Sequence, residues 1–397
     1  MTETTHRRTF LHFGGYHPIA PDDARLRFAR ELARFSGAWS IKTVVQPGVD
    51  TPEASQWQVT ATGAGWRAQT SYSFFRWDDV ILRERTRRWA SRLTLGLASG
   101  ADFLRYGAAW GYARNSWRYA LFFLYPFLSL AVLAALAFGI ASLGLGLAMP
   151  APSAWLKWGL AAGLFALALP LVGNRLYLDH LLDDWIHAMR LVRAPDPVVA
   201  ERIETIVQQL MQAEQDELVI FGHSLGAVHA VELVDRLLAL QPEGPTIRFA
   251  TAGASILKIG LHGKAHWLRD AIGRIARSRR VIWVEFQALN DVMNFCTCDP
   301  VTVLKQQAPP VTLYRVRFRA GVDPSRYRRM ERNLFRLHNQ FVHGNDVRAS
   351  YDFMMMLAGP FVLEALARSG DGAMSWIAAD GGITPAGARQ RLEQAPT

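Results

Sequence analysis

From Tyr119 to Pro150 the chain carries no charged side chain. A helix needs about 20 predominantly apolar residues to cross a bilayer core, so this run restricts the folds open to the chain more than any other feature does. A second apolar run, Trp155–Gly173, follows a turn-like Met149-Pro-Ala-Pro-Ser153. Its one charge, Lys157, lies near its start, where a long side chain can carry its ammonium to the interface. The length of both runs and the absence of a polar stripe argue against two buried helices of a soluble core. The expectation is a transmembrane helical hairpin over residues 116–175.

Orientation follows from the flanking charges. Arg83, Arg85, Arg87, Arg88, Arg92, Arg105, Arg114 and Arg118 precede the first run, and Arg175, Arg190 and Arg193 follow the second. Basic flanks stay on the cytoplasmic side, so both arms are expected there, in a two-span protein of a bacterial inner membrane. The whole chain has 44 Lys and Arg against 34 Asp and Glu, a net charge of +10. That balance points to an anionic partner, which a phospholipid leaflet satisfies. No DNA-binding motif accompanies the charge, and nucleic acid is not an expected partner. Cys296 and Cys298 are too close for a disulfide framework and have no second pair at zinc-site spacing, which favours a reduced compartment. The opening MTETTHRRTF has no apolar h-region, so no cleavable signal peptide is expected. No metal or other cofactor is expected.

Outside the hairpin, strand and helix patterns alternate. Strands are expected at Thr9–Phe13, Ser40–Val45, Gln56–Thr62, Arg67–Phe75, around Leu218, and at Thr246–Thr251, Val281–Gln287 and Val311–Phe318, each rich in Val, Ile, Phe or Tyr. Gly63-Ala64-Gly65 reads as a hairpin turn. Helices are expected at Pro21–Phe35, Tyr177–Leu191 and Val198–Ala213. Asp78–Ala113 reads as helical, lying either on the membrane surface or against the sheet. Strands separated by helices imply an α/β fold with a mainly parallel sheet and helices on both faces. The expected organisation is an α/β domain split into residues 1–115 and 176–369 around the hairpin. Residues 370–397, Gly- and Ala-rich, read as a loose tail.

Residues 218–233, LVIFGHSLGAVHAVEL, pass from a β-branched and aromatic run to a small-residue helix through Gly222-His223-Ser224-Leu225-Gly226. This fits G-x-S-x-G, in which a serine sits on a strained strand-to-helix turn and the glycines let strand and helix approach closely. The stretch resembles the nucleophile elbow of the α/β-hydrolase superfamily, and Gly-His-Ser-Leu-Gly is the form many lipases and esterases carry. The resemblance covers Thr9–Gly15 and Leu218 to about Gly359, and implies an α/β-hydrolase-like fold with Ser224 as nucleophile.

That pattern also implies the chain order serine, acid, histidine, each near the C-terminal end of its strand. Asp291 is the first acid after the Val281–Gln287 strand, with Asp299 as the alternative. His338 and His343 both follow the last strand. His338-Asn339-Gln340-Phe341 is similar to the H-x-x-Y/F stretch around the base of class 3 lipases. For the developing oxyanion, the resemblance implies the N–H of Leu225 and a donor from Phe13-Gly14-Gly15-Tyr16, with Gly15 and Tyr16 as candidates. The inserted hairpin and the lack of a clear lid depart from well-characterised lipases, which separates substrate from mechanism. The expected activity is cleavage of carboxylic esters, of lipid or acyl type, at the cytoplasmic face. A hydrolase-like scaffold that binds a lipid or partner without catalysis is the alternative. Two spans without intramembrane charge offer a transporter no pathway.

Overall fold

A computed structural model of the chain describes residues 5–212 and 216–394. The expected helix end at Ala213, the first four residues of the first arm and residues 395–397 of the expected tail lie outside the described residues. The fold is mixed α/β. Its strands are β1 (Thr5–Phe13), β2 (Lys42–Val45), β3 (Val49–Asp50), β4 (Ala54–Gly63), β5 (Trp66–Phe75), β6 (Glu217–His223), β7 (Ile247–Ala252), β8 (Val281–Ala288) and β9 (Thr312–Val316). They form one sheet in the order β2-β4-β5-β1-β6-β7-β8-β9, with β3 paired to β4. The run β5-β1-β6-β7-β8-β9 is parallel, and β2, β3 and β5 pair antiparallel to β4.

Central strand β6 shows why the sheet is covered on both faces. Every residue of it is buried, and successive side chains alternate between faces. Leu218 and Ile220 join one core with the helices Leu178–Arg193, Pro197–Gln212, Gly226–Leu240 and His266–Arg277. Val219 and Phe221 join the other, with helix Pro21–Trp39 and the segment Phe353–Ile377. Glu217, at the start of β6, is buried with the Arg8 guanidinium 2.6 Å away. The charges of Arg8, His6 and Arg248 outweigh its burial and hold its carboxyl down at about 2.

The segment expected as a loose tail is packed. Ala373, Trp376 and Ile377 are buried, Trp66 Nε1 donates to the Gly381 carbonyl at 3.0 Å, and a helix spans Pro385–Glu393. Glycine-rich composition misled here because Gly381 takes φ +81° where a Cβ would strike Ser40. Asp78–Ala113 likewise divides into Asp78–Arg85, Trp89–Arg105 and Ala108–Asn115, the last break at Gly107 with φ +79°.

Two helices, Trp117–Ala148 and Ala154–Gly173, are long and apolar enough to cross a membrane. Only 33% and 17% of their most apolar stretches are buried, whereas a soluble core helix is buried along most of its length. Leu128, Val132, Leu136, Ile140, Leu143 and Leu147 are all exposed. The first turns behave differently. Tyr119, Phe122 and Phe123 are buried in the α/β body, and Tyr119 stacks on Phe295 with centroids 4.0 Å apart. The helix therefore stays on the body well past Tyr119, since Leu130 and Leu133 are buried with Leu178 and Leu182 of helix Leu178–Arg193. Residues 134–148, beyond that contact, extend about 22 Å.

Candidate active site

Ser224 is set by the meeting of β6 and helix Gly226–Leu240. Its φ of +54° is a left-handed conformation that costs an L-residue about 1–3 kcal/mol. The surroundings hold it there. Ser224 N donates to the Ala252 carbonyl at 3.1 Å, and the Ser224 carbonyl accepts from Ser255 N at 2.9 Å. Two glycines make the turn feasible. A Cβ at Gly222 would lie 2.5 Å from Ala227 Cα, and one at Gly226 would lie 2.3 Å from the Gly14 carbonyl oxygen. Leu225 is the N-cap residue of the helix, at its positive dipole end, and the N–H groups of Ala227 and Val228 are already taken by the Ser224 and Leu225 carbonyls.

The β1 loop is pressed against this turn. A Cβ at Gly15 would stand 2.9 Å from Ser224 Cβ and 3.3 Å from its Oγ. Trp77 Nε1 donates to the Gly14 carbonyl at 3.1 Å, and Tyr16 Oη donates to Glu84 Oε2 at 2.7 Å. Glu84 also contacts His187 at 3.1 Å and Arg190 at 2.5 Å. Against burial, which raises it, His187, Tyr16 and Arg87 lower its carboxyl to about 2. The Tyr16 hydroxyl is thereby committed to this buried network.

Asp291 and His338, 47 positions apart, meet. His338 Nδ1 lies 2.7 Å from Asp291 Oδ2. An ionised carboxylate can only accept, so Nδ1 donates and the proton-free lone pair is left on Nε2. The carboxylate is held by Met293 N at 2.9 Å and Asn294 Nδ2 at 3.0 Å. His338 Nε2 is buried and has no hydrogen-bond partner among the described residues. The ring lies beside His223, centroids 4.7 Å apart, and the His338 carbonyl accepts from His223 Nε2 at 3.2 Å.

The two alternatives lie elsewhere. Asp299 caps the short helix Pro300–Val303, accepting from Val301 N at 3.2 Å and Thr302 N at 2.9 Å. His343 stands against Glu31 outside the cavity wall, and burial lowers its imidazole to about 4.

Ser224, His338, Gly15 and Tyr16 share one cavity of about 450 Å³. Tyr119 and Phe122, from the first turns of the long apolar helix, form part of its wall, as do Met293 and Phe335. Sequence reasoning missed several polar wall residues. Lys258 is buried with its Nζ 2.5 Å from Asp184 and lies over the Trp185 ring at 4.1 Å. Burial lowers its ammonium pKa, against the pull of Asp184. Burial also lowers His180 to about 4, and holds His12 and His223 well below the ordinary imidazole value. The one available signal was position, since Ser255 and Lys258 follow the C-terminal end of β7, where open α/β sheets bind ligands. No family model, curated protein or solved structure matches the chain.

Proposed function

We propose that this chain is a membrane-anchored serine hydrolase of the α/β-hydrolase type, acting on carboxylic esters of lipid or acyl character. The observation that carries the reading is the unpartnered, buried Nε2 of His338 in the cavity that Ser224 lines, with Nδ1 held by Asp291. In this reading Ser224 Oγ attacks the ester carbonyl as Nε2 takes its proton. Asp291 holds the tautomer and stabilises the imidazolium. The oxyanion is met by the Leu225 N–H and a donor from Gly15-Tyr16. His338 returns the proton to the leaving alkoxide, which departs as the alcohol. Water, deprotonated by His338, then cleaves the acyl-serine to the carboxylic acid and restores the hydroxyl.

The two apolar helices support anchoring in a bilayer, with the basic flanks on the cytoplasmic side. An acyl substrate accords with a cavity whose wall includes the root of that hairpin. Labelling of the full-length protein by a fluorophosphonate tests the chemistry. The expected result is one adduct, at Ser224, absent from Ser224→Ala. An unlabelled but folded wild type would sink the enzyme reading and favour a lipid- or partner-binding scaffold.

A further inference from the structure

The charges on the cavity wall are unevenly matched. Lys258 is paired with Asp184 at 2.5 Å, and Arg85 stands 3.8 Å from Asp179. Arg27, on helix Pro21–Trp39, lines the same cavity, yet among the described residues it has no hydrogen bond and no carboxylate within 4.0 Å. Its guanidinium carbon lies 5.9 Å from the centroid of the Phe74 ring. The carboxylate one turn along, Glu31, is already engaged by Arg30 at 3.0 Å, Arg34 at 2.9 Å and Gly344 N at 3.0 Å.

A guanidinium has five N–H donors, and withdrawing it from water without a counter-charge is unfavourable. Arg27 is half-buried, and its burial lowers its pKa from the ordinary value against the weaker pull of Tyr72 and Glu31. Burial is the main cause that lowers His12, His17 and His223, and the charge of Arg27 adds to it in all three. The cation and the serine line the same cavity, to which Tyr119 and Phe122 supply an apolar wall.

We propose that Arg27 is an anion subsite, and that the ester substrate carries a phosphate group which Arg27 binds while Ser224 faces the acyl carbonyl. The inference rests on the hydrolase reading for the word substrate, though not for the anion site itself. Planar guanidinium suits a phosphate because two parallel N–H groups can meet two oxygens. Together with the apolar root of the hairpin, the chemistry selected is an acyl ester of a phospholipid.

The test uses the full-length protein in neutral detergent. Hydrolysis of micellar phosphatidylglycerol is compared with that of diacylglycerol of the same chains. Wild type should favour the phospholipid in kcat/KM by at least tenfold, and Arg27→Gln should reduce that ratio at least tenfold. Arg27→Lys, which keeps the charge but not the fork, should recover part of it, and thermal melts check that both variants fold. A soluble dibutyryl glycerophosphate separates the sources: a preference shared with it assigns the site to phosphate, and one confined to micelles assigns it to a lipid headgroup. Dodecyl phosphate binding by calorimetry requires no turnover, and Arg27→Gln should weaken it at least tenfold. Equal binding by wild type and Arg27→Gln, or an unchanged substrate ratio, overturns the subsite and leaves the hydrolase reading standing. Arg27-dependent binding without hydrolysis of any ester does the reverse.

Discussion

His338 donates through Nδ1 to Asp291 Oδ2 at 2.7 Å, and the opposite ring nitrogen, without a hydrogen-bond partner among the described residues, belongs to a cavity wall shared with Ser224. The aspartate is itself fixed by Met293 N and Asn294 Nδ2, so the ring inherits its orientation from the loop after β8.

Asp291→Asn should preserve the fold and lower kcat for a short nitrophenyl ester by about 10⁴-fold, because an amide no longer enforces the Nδ1–H tautomer. Steady-state rates with a matched thermal melt check this. Activity within tenfold of wild type would remove Asp291 from the mechanism.

The two late histidines should separate cleanly. His338→Ala should lose nearly as much activity as Ser224→Ala, and the double variant should be hardly worse than either, since members of such a unit are not additive. His343→Ala should keep activity within about threefold, because the side chain does not line the cavity. A dead His343→Ala beside an active His338→Ala would reverse the assignment.

Gly226→Ala should be among the most destabilising single-methyl additions in the protein. The new Cβ would meet the Gly14 and Phe13 carbonyl oxygens at 2.3 and 2.5 Å, and backbone cannot swing aside as a side chain does. A loss of about 3 kcal/mol or outright misfolding is expected. Gly139→Ala, with nothing within 4 Å of the added methyl, is the control and should melt like wild type. Equal melting of the two variants would mean that the β1 loop yields.

Glu285 supplies a pH test of stability. It is fully buried beside Thr251, and burial raises its carboxyl to about 7 from an ordinary 4.5. A raised carboxylate favours the folded state below its unfolded pKa, and that contribution is lost as pH rises from about 4.5 through 7. Glu285→Gln removes the penalty, so the variant should gain on wild type by up to about 3 kcal/mol at pH 8 and lose the gain near pH 4.5. Denaturant unfolding at the two pH values reads it out. A stability gap that does not change with pH would mean that Glu285 does not titrate in this window.

Membrane insertion is tested by carbonate extraction and by reporters at each terminus. The protein should stay with the membrane, and both reporters should be active on the cytoplasmic side. Release by carbonate, or termini on opposite sides, would rule out a two-span hairpin.

Much of the fold was legible because it is written locally. The charge-free stretch is one unbroken run, and the β-branched runs and the Gly-His-Ser-Leu-Gly turn each declare themselves within about a dozen residues. The parallel sheet follows from their alternation with helices. The extent of the projecting apolar helix was not legible, since Tyr119 and Phe123 are as hydrophobic as the leucines beyond them. They are buried by packing on Phe295 and Trp185, far away in the chain.

Sequence alone determined which residue types were available to the site and their order along the chain, because strand ends and turns have local signatures. Tertiary structure decided which of them meet. Asp299 and Asp291 both follow β8, yet the backbone N–H groups of Val301 and Thr302 claim the first, leaving the second to His338. The unmatched charge of Arg27 was equally invisible, because a counter-ion is missing only with respect to everything folded around it. Such pairings depend on contacts between residues tens to hundreds of positions apart, and no local pattern carries them.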